Sequence, residues 1–249
     1  MNKILIAFAV VTLVILATAC KDESTHSQHS ISAPLQDQKV ATIVELMMEA
    51  QGGDKAWEDL RYVSWTFFGA RHLTWDKQNG RVRIESDKDT AVYLVNLENL
   101  QGRYYENGIE VVDTAIVNDM MTKAKSIWIN DMYWLFMPFK LTDPGVQLVH
   151  MRIDTLDTGH IADVIALTFD DVGDTPSNKY EIYVDQSDHL IKKWDFYADR
   201  KQEKPSRSWP WDNYKSYGNL KLSANRSDKG GPTNVIIYES LPDSTFLEL

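Results

Sequence analysis

The chain has 249 residues, a formal net charge of −10 and a single cysteine. That length holds one mid-sized domain or two small ones. So acidic a balance excludes a nucleic-acid binder working by bulk electrostatics and a protein drawn to anionic lipid heads, and a lone cysteine excludes a disulfide framework.

The first residues read as an address. Lys3 precedes Ile4 to Ala17, an uncharged run shorter than the roughly 20 residues of a spanning helix and ending in small residues, as a signal h-region does. Leu16-Ala17-Thr18-Ala19-Cys20 resembles a bacterial lipobox, in which the cysteine is diacylated and becomes the new N-terminus; Ala17 stands where the lipobox prefers leucine. The alternative is an ordinary secretory peptide in which Cys20 is incidental. Two or more acyl chains, at about 0.8 kcal/mol per buried methylene, anchor a protein stably, so the chain is expected to be tethered to a membrane through Cys20. Lys21-Asp22-Glu23 resembles the lysine-plus-acidic export signal of surface lipoproteins in Bacteroidota, the alternative being a plain solvated tether. Ser24 to Pro34 is polar and without periodicity, and reads as a spacer. The division is a signal peptide over 1–19, a lipidated tether over 20–34 and one domain over 35–249.

Within the domain, Val40, Ile43, Val44, Met47 and Met48 recur at helical spacing and Gly52-Gly53 supplies a stop, with a short second helical turn through Lys55 to Leu60. From Arg61 the period becomes two. Val63, Trp65 and Phe67, then Leu73 and Trp75, then Val82 and Ile84, then Tyr93 and Val95 alternate with polar neighbours, punctuated by Asn79-Gly80 and Asn107-Gly108 turns. Asp113 or Thr114 is placed to cap a helix striped by Val117, Met120, Met121, Ala124 and Trp128. That helix runs into the most hydrophobic stretch of the chain. From Met132 to Met137 every residue is large and apolar or aromatic, so the segment must be covered on more than one side before Pro138 ends it. Strands resume over 146–153, 161–169, 179–184 and 190–197, with shorter pieces near Tyr214, over 220–223 and over 235–241. The expected fold is mainly β with α: one curved antiparallel sheet, a half-open barrel of about ten strands, covered by the N-terminal helix and a mid-chain helical plug.

No catalytic or metal constellation stands out. Glycine-rich phosphate loops, His-x-x-x-His pairs and Gly-x-Ser-x-Gly elbows are missing. Asp170, Asp171 and Asp174 flank a glycine but lack the spacing of a calcium loop and read as a solvated turn. His26 and His29 sit on the spacer, and His72, His150, His160 and His189 read as strand-surface residues. An enzyme would need a polar cluster inside a cavity, for example His72 or Asp76. Neither catalysis nor a cofactor is expected.

The rings are the informative feature. Trp65, Phe67, Leu73, Trp75, Ile84 and Tyr93 share one strand parity and should line one face of the sheet, with Trp128, Trp134, Phe136 and Phe139 facing them from helix and plug. Two readings follow: a solid core, or a cavity for a lipid or acyl chain under the plug. Trp209-Pro210-Trp211, in a basic loop, is a rim, a membrane-facing tip or a loop packing its own rings.

The N-terminal helix on an antiparallel meander, the inserted helix, the run Tyr133 to Leu141 and Asp143-Pro144-Gly145-Val146 together resemble an uncharacterised family of Bacteroidota envelope lipoproteins, similar in organisation to the lipoprotein carriers and acceptors LolA and LolB. The resemblance implies a half-open antiparallel barrel closed by helices around a hydrophobic cavity, and the export signal at Lys21, Asp22 and Glu23 implies the lipoprotein export machinery as a partner; the carriers' functional arginine and protruding leucine match no position here. The expectation is a non-catalytic lipoprotein of the outer membrane or cell surface that binds an apolar ligand, or else a structural or interaction module of the envelope with a packed core.

Overall fold

The computed structural model describes residues 35–170, 173–227 and 230–249. The readings placed on Cys20, Lys21, Asp22 and Glu23, with their signal and tether segments, and on Asp171 lie outside those residues. The described residues form one compact unit containing both large hydrophobic cores.

Helix α1 (Leu35–Ala50) buries Val40, Val44 and Met47, and ends where Gly52 and Gly53 take φ of 119° and 78°. Helix α2 (Gly53–Asp59) follows. Six strands come next: β1 (Tyr62–Phe67), β2 (Arg71–Asp76), β3 (Arg81–Ser86), β4 (Ala91–Asn96), β5 (Gly102–Glu106) and β6 (Ile109–Val111). The turn between β5 and β6 places Asn107 and Gly108 at φ 52° and 78°, the left-handed pair that an Asn-Gly hairpin turn requires. Helix α3 (Thr114–Phe136) begins at Asp113, whose carboxylate accepts from the amides of Ala115 and Ile116 at 2.9 and 3.1 Å. A single 3₁₀ turn (Met137–Lys140) carries Pro138 and ends the helical stretch.

The second half holds β7 (Val146–Thr155), β8 (Ile161–Phe169), β9 (Lys179–Asp185), β10 (Ile191–Tyr197), β11 (Arg207–Pro210), β12 (Tyr214–Tyr217), β13 (Leu220–Ser223), β14 (Pro232–Tyr238) and a closing turn of helix, α4 (Ser244–Leu247). The architecture is mainly β with helices, antiparallel and not closed into a barrel. It departs from a single ten-stranded sheet. A seven-stranded sheet runs β14-β1-β2-β3-β4-β5-β6, a five-stranded sheet runs β11-β10-β9-β8-β7, and β12 pairs only with β13. The reason is α3: it separates β6 from β7, so the later strands pair among themselves, and only β14 returns to the first sheet beside β1.

Register fixes the faces. Val63 pairs with Trp75, Trp65 with Leu73, Leu73 with Ile84 and Ile84 with Tyr93, which puts all of these side chains on one face as the alternation predicts. That face meets α3. Gly102 permits the approach, since a Cβ there would overlap the Leu94 carbonyl oxygen and the Met121 sulfur.

The hydrophobic stretch at the end of α3 is divided between the two sheets. Met132, Leu135, Phe136 and Phe139 join the core of the first sheet, while Met137 and Leu141, with Tyr133 and Trp134 beside them, join the core of the second. At 3.6 residues per turn these sets lie on opposite flanks of one helical segment. The plug is therefore a wedge with a sheet on either side, which is why every position from 132 to 137 is apolar or aromatic.

Candidate ligand pocket

Between the ring-bearing face of β1 to β4 and α3 the space is filled, while an opening of about 490 Å³ lies at the edge, between residues 99–102 and Val117, Asn118 and Thr122 of α3. Trp65, Leu73, Ile84 and Phe136 are fully buried, Tyr93, Phe139 and Trp75 nearly so. Phe136 alone touches three rings, with centroids 5.4, 5.8 and 6.0 Å from Trp57, Trp65 and Trp75. Phe67 packs at the margin of this core. A cavity beneath this sheet is thus replaced by interdigitated side chains, and of the ten residues the sequence places around a ligand only Trp128 and Trp134 border an opening.

That opening lies on the other flank of the wedge. A cavity of about 480 Å³ separates the last turns of α3 and the segment to Val146 from the second sheet. Trp128, Tyr133 and Trp134 wall it from α3; Phe169 of β8, Tyr180 of β9 and Trp194 of β10 wall it from the sheet. The walls are themselves packed rings: Trp134 meets Trp194 edge-on at 4.6 Å, Tyr180 stacks on Trp194 at 5.0 Å, and Tyr133 lies 5.8 Å from Tyr180 and 6.2 Å from Phe169. The charges around it are engaged, Lys140 with Asp143 and Asp174 with the Ser126 hydroxyl. Burial above all, then Tyr180 and Asp143, pushes the Tyr133 hydroxyl well above the usual phenol range, so it stays protonated. The volume lies within the range of small-molecule sites, about 300–1,000 Å³.

Polar bonds hold the wedge in place. Arg71 at the start of β2 donates two bonds to the fully buried Asp131 at 2.7 and 2.8 Å. Lys125 reaches the Leu97 carbonyl at 2.9 Å. The buried Arg226 donates to the Trp134 carbonyl at 2.5 Å while its guanidinium lies 3.6 Å from the centre of the Trp211 ring. A freely movable cover is not what these contacts describe.

Several residues fall elsewhere than the sequence suggests. Trp209 belongs to a short strand, β11, paired with β10, and Trp211 is fully buried, so this loop packs its own rings. His160 and His189 sit in the loops that precede β8 and β10 rather than on strands. Asp76 is occupied by Arg81 at 2.6 Å and Arg61 at 3.7 Å, and His72 by Thr66 at 3.3 Å, and neither borders the pocket. Among the described residues no group of three or more His, Cys, Asp or Glu is placed to hold a metal, and no helix is long and apolar enough to cross a membrane. Sequence reasoning missed Phe169, Tyr180 and Trp194. Phe169 and Tyr180 could have been found by the alternation of Ile165, Leu167 and Phe169 and of Tyr180, Ile182 and Val184.

No protein-family model and no curated protein matches the sequence. Among solved structures, the chain is similar to a DUF1329 family protein from Desulfovibrio piger ATCC 29098, at 12% identity and a TM-score of 0.42 over 83% of this chain and 96% of that one. It is also similar to MucB in complex with MucA(peri), at 11% identity and a TM-score of 0.25 over 73% of this chain and 61% of that one.

Proposed function

We propose that this chain is a non-catalytic, lipid-anchored envelope protein whose folded domain holds one apolar guest, such as a lipid or acyl chain, between α3 and the second sheet. The observation that carries the reading is the aromatic cavity itself, about 480 Å³, with the charges that the described residues bring to its rim already engaged. Ring faces and methylenes are what such walls can solvate. The test uses residues 33–249 purified without detergent. Native mass spectrometry should show a low-mass apolar adduct that solvent extraction removes and Nile red replaces. Protein that carries no adduct and takes up no Nile red would overturn the reading.

The anchor is proposed at Cys20, holding the domain to the outer membrane, with Lys21, Asp22 and Glu23 read by the export machinery. Radiolabelled palmitate should enter the protein and be lost in Cys20→Ser; labelling that survives the substitution would exclude this anchor. A second reading, an interaction module of the envelope, is favoured by one feature. The second sheet's outer face is a polar ladder in which Arg152 binds Glu181 and the Tyr183 hydroxyl, each at 2.9 Å, and Tyr183 donates to Asp195 at 2.7 Å. Glu181, Tyr183 and Asp195 are buried beneath it, and Arg152 is the exposed charge of this ladder that a partner would meet.

A further inference from the structure

Helix α1 covers the inner face of the second sheet only in part. Val40, Val44 and Met47 share a core with Ile165 and Leu167 of β8. The cover runs out near Lys39, about one turn into the helix, whose ammonium meets the Asp163 carboxylate at 2.8 Å. Register sets what lies beyond. Ile153 of β7 pairs with Asp163, and Thr155 with Ile161, so these side chains share the face that carries Ile165 and Leu167. There the face is open: Ile153 is 57% and Ile161 43% exposed, and Met151, at the register shift of the same edge strand, is half-exposed.

An apolar patch of this kind marks a contact surface, and the course of the chain says with what. The patch adjoins the start of α1, and only residues 21–34 separate that start from Cys20, a reach of at most about 50 Å. An anchor at Cys20 therefore holds this end of the domain nearest the bilayer. The neighbouring charges are matched, Lys39 with Asp163 and Arg152 with Glu181 and Asp154, so the surface offers apolar contact rather than attraction to charged heads. We propose, building on the Cys20 anchor, that Ile153, Ile161 and Met151 rest in the interfacial layer of the bilayer that carries it. The domain then lies against the membrane with the start of α1 inward, instead of swinging on its tether. Exposure alone would choose differently: Val112 is 85% exposed, but it follows β6 at the edge of the other sheet.

The experiment places full-length acylated protein on phosphatidylcholine vesicles that contain nitroxide-labelled phosphatidylcholine. Acylation consumes the sulfur of Cys20, the one native cysteine, so Thr155→Cys supplies a single free thiol for a fluorophore and leaves both isoleucines in place. The lipid nitroxide should quench a label at position 155 strongly and one at Val112→Cys weakly. Adding Ile153→Asp and Ile161→Asp should leave the protein on the vesicles, since the acyl chains hold it there. The ratio of docked to free molecules, read from quenching at position 155, should fall at least about tenfold, the effect of returning two half-exposed isoleucines to water. Thermal unfolding of each variant shows that folded proteins are being compared. Equal quenching at the two positions, stronger quenching at 112, or quenching at 155 that survives both aspartates would overturn the proposal while leaving the anchor intact. Protein that does not stay on the vesicles would overturn the Cys20 anchor, and this inference with it.

Discussion

Replacing Phe136 by alanine is expected to lower the stability of the folded domain by about 3–5 kcal/mol, the usual range for emptying a buried aromatic site. The ring is fully buried and is held by Trp57 of α2, Trp65 of β1 and Trp75 of β2 as well as by its own helix. Walls from four elements cannot close together around the hole, so little of the loss is recovered by relaxation. Trp134→Ala is the informative contrast. That side chain is partly exposed, borders the cavity and contacts Trp194 and Trp209 at 4.6 and 4.8 Å. Its removal enlarges a space that already exists and that water or a guest can enter. The stability cost should be smaller than for Phe136→Ala, and the change in Nile red affinity larger. Denaturant unfolding and dye titration on both variants decide the matter. Equal destabilisation with unchanged dye binding at Trp134 would mean that the two flanks of the wedge are equivalent and that the cavity has no role.

What the residues disclosed in advance and what they concealed divide along a physical line. Strand alternation reports which side chains share a face, and so Val63, Trp65, Leu73, Trp75, Ile84 and Tyr93 were legible as one surface. Six consecutive apolar residues report that a helix is covered on two sides, and so the wedge was legible as well. Neither signal says which of two apolar flanks packs solidly. That depends on how closely two sheets approach the same helix, a quantity set by non-local contacts. The opening therefore lies on the flank opposite to the one the alternation points to. Trp194 was hidden for a more local reason. A register shift between Ile191 and Lys193 lets Ile191 and Trp194 face inward together, although strict alternation from Ile191 would turn the tryptophan outward. Short strands such as β11, with its proline and flanking charges, carry too few residues to show a period at all. Buried Arg226 and Asp131 look like surface residues in sequence because their partners lie 92 and 60 positions away.

The Arg71–Asp131 pair yields the second large effect. Asp131 is fully buried while Arg71 keeps 26% of its side-chain surface exposed, so the two partners are not equivalent. Without Arg71 the carboxylate is stranded, and Arg71→Ala should cost about 3–5 kcal/mol at pH 7. Without Asp131 the guanidinium can turn toward water, and Asp131→Ala should cost less. The pH dependence of the loss identifies its origin. Burial already holds the Asp131 carboxyl above its ordinary value of 3.8, against the opposing bonds from Arg71 and Asn130. Losing Arg71 raises it further. A carboxyl whose folded value exceeds its unfolded one carries no ionisation cost below the unfolded value, and the cost grows as pH rises from there toward the folded one. The difference between wild type and Arg71→Ala should thus be smaller at pH 4 than at pH 7. Taking each difference within one pH cancels the acid sensitivity of carboxylates elsewhere, including Asp185, which burial would raise but which bonds from Ser187 and His160 hold at about 2. The double variant Arg71→Met, Asp131→Leu removes both charges and should recover most of the loss. If Arg71→Ala costs the same at both pH values, or Asp131→Ala proves the more damaging, the wedge is held by packing alone and the ion pair is incidental to it.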